Sequence, residues 1–217
     1  MSGKLLTPHS RLVPLNNPAN TFEDTFETGD TSKWASVTGA PPVAATYAKN
    51  GSNGVLLSPA NSAKSIATST GKWTQSGLPF FSAAMWVQFK AFSAGKSVSV
   101  LTVANTLNAD NIDIYLDPTT QAWTFDVKNA DKIVTSLVPS LNVWYRLRLK
   151  GDFSTTTWTS QLMIDTIELG TCISTGESVR STRSAAIGEP ANTDRTSSFW
   201  ADDFRIVCAA SDPGWLV

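Results

Sequence analysis

Charge is scarce in this chain of 217 residues: only 16% are Asp, Glu, Lys or Arg, against about a quarter in an average soluble domain. The formal net charge is −1. No basic excess is available to neutralise phosphates, which excludes nucleic acid as a main partner. Histidine is almost missing, since His9 is the only one. Without a second histidine no Ser-His-Asp or Cys-His relay assembles in the folded region, and no zinc ligand set exists. The apolar runs are too short to cross a bilayer. Met1-Ser2-Gly3-Lys4-Leu5-Leu6 starts like a secretory leader, but Pro8, His9, Ser10 and Arg11 interrupt it before an apolar middle develops. The sequence as given is therefore not expected to be secreted through a leader. The two cysteines, Cys172 and Cys208, have no metal-binding spacing. They are either two buried thiols or one disulfide, because sequence does not give their separation. No stretch sustains a helical period, and no repeat recurs at solenoid spacing.

What is present suits an all-β domain. Hydrophobic residues make up 41% of the chain, enough for one core. Residues 1–20 read as an extended arm, because Pro8, Pro14 and Pro18 remove backbone donors. Leu12, Val13 and Leu15 give that arm an apolar surface that a neighbouring subunit could cover. From residue 21 to 217, strand signals recur between turns. Phe81, Met85, Val87 and Phe89 alternate with Trp86, Gln88 and Lys90. Ile112, Ile114 and Leu116 alternate with Asp113, Tyr115 and Asp117, and Trp123, Phe125 and Val127 with Thr124, Asp126 and Lys128. Tyr145, Leu147 and Leu149 alternate with Arg146, Arg148 and Lys150, while Leu162, Ile164, Phe204 and Ile206 continue the pattern. A period of two marks a half-buried strand. Asn53-Gly54 fits a tight hairpin, and Asp117-Pro118 and Lys150-Gly151-Asp152 read as turns. Asn50-Gly51-Ser52 matches a glycosylation triplet of a kind common by chance.

The folded region opens with Phe22-Glu23-Asp24-Thr25-Phe26-Glu27-Thr28-Gly29-Asp30 and then Trp34. It closes with Phe199-Trp200-Ala201-Asp202-Asp203-Phe204-Arg205-Ile206. Between them stands Trp144-Tyr145-Arg146-Leu147-Arg148-Leu149, and Gly188 falls where a glycine often precedes the last hairpin. Together these segments resemble concanavalin A-like lectin/glucanase jelly rolls, laminin G-like modules included, over residues 21–208. The resemblance implies two antiparallel sheets packed face to face as a jelly-roll sandwich. Jelly rolls with a galactose-binding-like fold share similar ends and are the alternative. Fold alone does not give function.

Three chemistries follow. Asp24 shares its alternation phase with Phe22 and Phe26, and Asp202 shares its phase with Trp200, Phe204 and Ile206. Inward carboxylates need a cation or hydrogen-bond donors. They either hold a structural Ca²⁺ with backbone carbonyls, as the resemblance implies, or accept backbone or Arg hydrogen bonds. Glycoside hydrolysis needs two facing carboxyls. The Glu-x-Asp-x-x-Glu run of related glucanases is absent, which leaves Asp113 and Asp117 as a candidate pair or as a solvated strand face. Binding has more support. Of eight tryptophans, Trp86 lies in phase with Gln88, and Trp144 with Arg146 and Arg148, while Tyr115 lies between Asp113 and Asp117. Aromatic faces beside hydrogen-bonding groups suit sugar rings, or else pack under loops and subunits.

The functional expectation is a non-enzymatic component of a larger assembly with possible glycan binding. By analogy with small jelly rolls of bacteriophages, it is a minor tail or capsid decoration protein of a virion. Its arm would bind other subunits and make homo-oligomers. A free extracellular carbohydrate-binding module is the alternative, and a glucanase-like hydrolase or lyase a further one.

Overall fold

The computed structural model describes residues 21–57, 65–68, 78–92, 95, 97–104, 111–127, 132–188 and 197–216. The arm expected over residues 1–20, with His9, Leu12, Val13 and Leu15, lies outside the described residues. Among the described residues the chain forms β1 (Thr21–Asp24), β2 (Ser36–Thr38), β3 (Val43–Ala44), β4 (Gly54–Leu57), β5 (Ser65–Thr68), β6 (Phe80–Ala91), β7 (Val98–Ala104), β8 (Asn111–Leu116), β9 (Trp123–Val127), β10 (Ile133–Val134), β11 (Trp144–Asp152), β12 (Thr157–Ile164), β13 (Ile167–Thr175), β14 (Ser184–Gly188) and β15 (Ser198–Ala209). One 3₁₀ turn covers Ala45–Tyr47.

Eight strands form one sheet in the order β13-β12-β11-β6-β15-β4-β3, with β1 also on β15. Seven form the other in the order β10-β9-β8-β7-β14-β5-β2. The chain crosses between sheets repeatedly, as from β6 to β7 and from β13 through β14 to β15. This is the two-sheet antiparallel jelly-roll sandwich expected from the sequence.

The alternating apolar sets meet between the sheets. Phe81, Met85, Val87 and Phe89 are fully buried, as are Ile112, Ile114, Leu116, Trp123, Phe125, Val127, Leu147 and Leu149. Each large side chain stabilises the fold by about 1.5–3 kcal/mol when buried. A slip of one residue would turn a whole set to the outside, so burial fixes the register.

The opening segment folds onto the same core. The Trp34 ring lies 4.9 Å from Phe22 and 5.2 Å from Phe204. Asp24 sits fully buried among them. Its Oδ1 accepts the Phe26 N–H at 2.9 Å and its Oδ2 accepts the Trp34 Nε1–H at 2.6 Å. Lys33 Nζ lies 3.5 Å from Oδ1. These donors meet the cost of removing a carboxylate from water.

Two turn expectations need correction. Lys150-Gly151-Asp152 is not a turn but the end of β11. Gly151 is there for space: a Cβ would stand 2.1 Å from Phe81 Cε1 and 2.8 Å from Ile112 Cδ1. Asn53-Gly54 is not a tight hairpin, and neither residue has a positive φ. Gly54 opens β4, where a Cβ would meet the Tyr47 carbonyl oxygen at 2.2 Å. In both places the glycine marks a close approach rather than a left-handed backbone. Cys172 and Cys208 are buried thiols on β13 and β15, not joined by a disulfide. Three strands separate these in the sheet.

Gly151→Ala is expected to lower stability by about 1–3 kcal/mol, the usual cost of overpacking. A urea midpoint equal to the parent's would contradict the contact with Phe81.

Candidate functional site

The outer face of the eight-stranded sheet is set by a break in β15. The first part of β15 pairs with β4, from Phe199 to Ala201, and the last part with β1, from Phe204 to Val207. Against β6 the register shifts between Asp202 and Arg205. Asp203, with φ 49°, occupies the left-handed region that Asp tolerates better than most residues. A bulge of this kind re-aims every side chain that follows it. Phe199 and Ala201 face the core before it, and Phe204, Ile206 and Cys208 face the core after it. The expected shared phase of Trp200, Asp202 and Phe204 is therefore corrected. Trp200 and Asp202 pair with Gln88 and Trp86 on the outer face. Unbroken alternation carries no sign of an inserted residue.

Asp202 is nevertheless fully buried, because the segment 48–53 lies over it. Its Oδ2 accepts the N–H groups of Lys49 at 2.7 Å and Asn50 at 2.9 Å, and its Oδ1 accepts the Asp203 N–H at 2.8 Å. Beside it, Asn50 Nδ2 donates to Asp203 at 2.7 Å, and Glu27 accepts the N–H groups of Ser52 and Asn53. Burial pushes the Asp202 carboxyl up to about 6, with the Asn50 and Lys49 N–H groups opposing the rise and the Asp203 charge adding to it.

Asp24 and Asp202 do not fit a shared calcium site. Their oxygens face N–H donors, whereas Ca²⁺ takes about six to eight oxygen ligands. Among the described residues no group of three or more His, Cys, Asp or Glu could hold a metal ion.

Strand register lays the outer face out in rows across β11, β6 and β15. One row holds Trp144, Gln88 and Trp200. The next holds Arg146, Trp86 and Asp202, and the third Arg148, Ala84 and Arg205. Trp86, Trp144 and Trp200 are partly exposed, whereas Trp34, Trp123 and Trp158 are core residues. The Trp144 and Trp200 rings lie 6.3 Å apart. Lys90 Nζ stands 3.8 Å from the Trp200 ring centre. Lys49 Nζ and Arg146 Cζ stand 5.1 and 5.3 Å from that of Trp86. A cavity of about 340 Å³ opens here, lined by Trp86, Arg146, Arg148, Asp165 and Thr166.

The turn between β12 and β13 forms one wall of that cavity. Asp165, at φ 54°, accepts the Arg146 N–H on its Oδ1 at 2.8 Å and returns its own N–H to the Arg146 carbonyl at 2.8 Å. Arg148 Nη2 donates to the Asp165 carbonyl. At the far edge, Lys150 pairs with Asp212 at 2.9 Å and faces the Trp215 ring at 5.0 Å, and Leu216 packs on Ala84 and Val207.

The seven residues expected at a ligand site therefore divide. Trp86, Trp144, Arg146 and Arg148 come together. Gln88 is in their midst but buried, with Nε2 donated to the Asn142 carbonyl at 2.9 Å. Asp113 and Tyr115 lie on β8 of the other sheet. There Asp113 pairs across with Asp126 and accepts the Thr102 hydroxyl at 2.5 Å. Burial and the charges of Asp126, Asp117 and Asp113 hold the proton on Tyr115. Asp117 Oδ1 caps the following turn by accepting the N–H groups of Thr119 and Thr120, which hold the carboxyl below its usual value. Sequence reasoning missed Trp200, Lys49, Asp165, Thr166 and Arg205. Lys90, in phase with Trp86, was legible.

No protein-family model matches the sequence, and no curated protein matches it. Solved structures do match at low identity, which shows the fold alone. The cellulose-induced protein Cip1 superposes with a TM-score of 0.62 at 14% identity, covering 89% of this chain and 99% of that one. Domain 4 of AbnA, a GH43 extracellular arabinanase from Geobacillus stearothermophilus solved in complex with arabinotriose, gives 0.62 at 14%, covering 92% and 93%. The alginate lyase vAL-1 from Chlorella virus gives 0.55 at 10%, covering 82% and 94%.

Two outcomes are expected in solution. Asp202 has a carboxyl raised from 3.8 to about 6 in the fold, so the folded state holds its proton more tightly than the unfolded chain does. Stability should therefore fall as pH rises from about 4 to about 6, by up to about 3 kcal/mol for a shift of two units. Asp126, raised by burial, adds in the same direction. Urea titrations across that range check it, and Asp202→Asn should flatten the slope; an equal slope in the variant would contradict the assignment. The melting temperature should be the same in EDTA and in added calcium, and a calcium-dependent rise would restore the metal site.

Proposed function

We propose that this chain is a carbohydrate-binding domain, not an enzyme, and that it takes its glycan on the outer face of the eight-stranded sheet. The observation that carries this is the grouping of partly exposed Trp86, Trp144 and Trp200 in adjacent rows with Arg146, Arg148, Lys49 and Lys90 around them. A sugar ring presents apolar C–H faces and polar edges. Flat aromatic surfaces ringed by donors suit both at once. The match to an arabinanase domain solved with arabinotriose supports the same reading. The glucanase-like reading has less behind it, because Asp117 is spent on its own turn. A place in a phage virion rests on the arm at residues 1–20, and nothing among the described residues or in these matches favours it.

Screening the protein on a broad glycan panel tests the proposal. At least one glycan should bind, and Trp86→Ala or Trp200→Ala should weaken it about tenfold or more, a loss typical of a central aromatic contact. Circular dichroism should show both variants folded, and Tyr115→Phe on the other sheet should bind as the parent does. Full binding in folded Trp86→Ala and Trp200→Ala would overturn the proposed face.

A further inference from the structure

We infer that the cavity beside Trp86 selects an acidic sugar, one bearing a carboxylate or a sulfate; this rests on the proposed glycan-binding reading and deepens it. The cavity, at about 340 Å³, falls within the span of ordinary small-ligand pockets, roughly 300–1,000 Å³. Two of its five lining residues are arginines, Arg146 and Arg148. Arg205 stands in the same row as Arg148, across Ala84. Burial lowers the Arg146 pKa, and the positive charges of Arg148 and Arg205 add to that while Asp202 and Asp203 oppose it.

The acids nearby are already engaged. Asp202 takes three backbone N–H groups, Asp203 takes the Asn50 amide, and Asp165 takes the Arg146 N–H. Among the described residues no carboxylate stands in ion-pair contact with Arg146, Arg148 or Arg205.

The clearest sign is an unmet donor. Nε of Arg148 is buried without an acceptor among the described residues, and so is Nε of Arg205. A buried N–H left unpaired is costly, more so on a charged group. The Arg148 side chain is held in place by its Nη2 bond to the Asp165 carbonyl. Its planar guanidinium fork is therefore fixed in the cavity wall that Trp86 also lines. A cation with an N–H left unmet suits the charged oxygens of a carboxylate or sulfate better than a hydroxyl. The Thr166 hydroxyl in the same lining suits a ring hydroxyl. The net charge of the whole chain is −1, so attraction of an acidic polymer would come from this face and not from the molecule at large.

The test is calorimetric titration of the full chain with four polymers: polygalacturonate, the same polymer fully methyl-esterified, dextran sulfate and dextran. One acidic polymer should bind about tenfold or more tightly than its neutral counterpart, and added salt should weaken it. Preference for polygalacturonate would identify a uronate site, and preference for dextran sulfate a sulfate site. Arg148→Gln should erase the preference, and Arg148→Lys, which keeps the charge but not the fork, should restore it only in part. Equal binding of acidic and neutral polymers would overturn the inference while leaving the glycan-binding proposal standing. Acidic binding that survives in both Arg148→Gln and Trp86→Ala would overturn it too, as attraction without this site. Binding of none of the four overturns it as well, and the glycan panel then decides the broader proposal separately.

Discussion

The Asp202 carboxylate, accepting backbone N–H groups from Lys49, Asn50 and Asp203, is the contact around which the outer face is arranged. A carboxylate out of reach of water must be matched by donors, and here three backbone donors converge on one side chain. The bond to Asp203 holds the bulge, and the bonds to Lys49 and Asn50 hold the segment 48–53 over the strand. That segment carries Lys49 to the Trp86 ring, while the preceding 3₁₀ turn sets Tyr47 at 5.5 Å from Trp200. The bulge also puts Trp200 outside and Phe204 inside on the same strand. Fold and candidate site thus share one local device. The core needs Phe204 inward, and the outer face needs Trp200 outward. An inserted residue satisfies both.

The two sheets present different chemistry outward. The eight-stranded sheet offers aromatic rings and cations, with its acids held by backbone donors. The seven-stranded sheet carries partly exposed Asp113 and Tyr115 and buried Asp126, and burial together with the charges of Asp126, Asp117 and Asp113 keeps the phenol protonated. An acidic face of that kind repels an anionic ligand, and the cationic face attracts one. The division gives the molecule one side suited to a glycan, and it comes from strand order rather than from any single motif.

Much of the fold was legible because the alternating apolar sets of β6, β8, β9 and β11 are the ones that fill the core. Asp24 was legible as a carboxylate in phase with Phe22 and Phe26, but the indole donor that Trp34 supplies to it was not. The rest was hidden by features that leave no period. The bulge at Asp202–Asp203 reverses phase without changing composition, so Trp200 read as a core residue. Gly151 and Gly54 looked like turns because close packing and left-handed backbone both select glycine. The site itself was half legible. Trp86 and Arg146 sit opposite each other only because β6 and β11 are neighbours, and alternation does not reveal which strands pair. Asp113 and Tyr115 have the same local pattern, but β8 belongs to the other sheet.

The most direct measurement is the set of indole N–H signals in a nitrogen–proton correlation spectrum during titration with the tightest glycan from the panel. Signals of Trp86, Trp144 and Trp200 are expected to move, while those of the core residues Trp34, Trp123 and Trp158 stay in place. Still outer-face indoles, with shifts at the amides of Asp113, Tyr115 and Asp126 instead, would contradict it by placing the ligand on the opposite sheet.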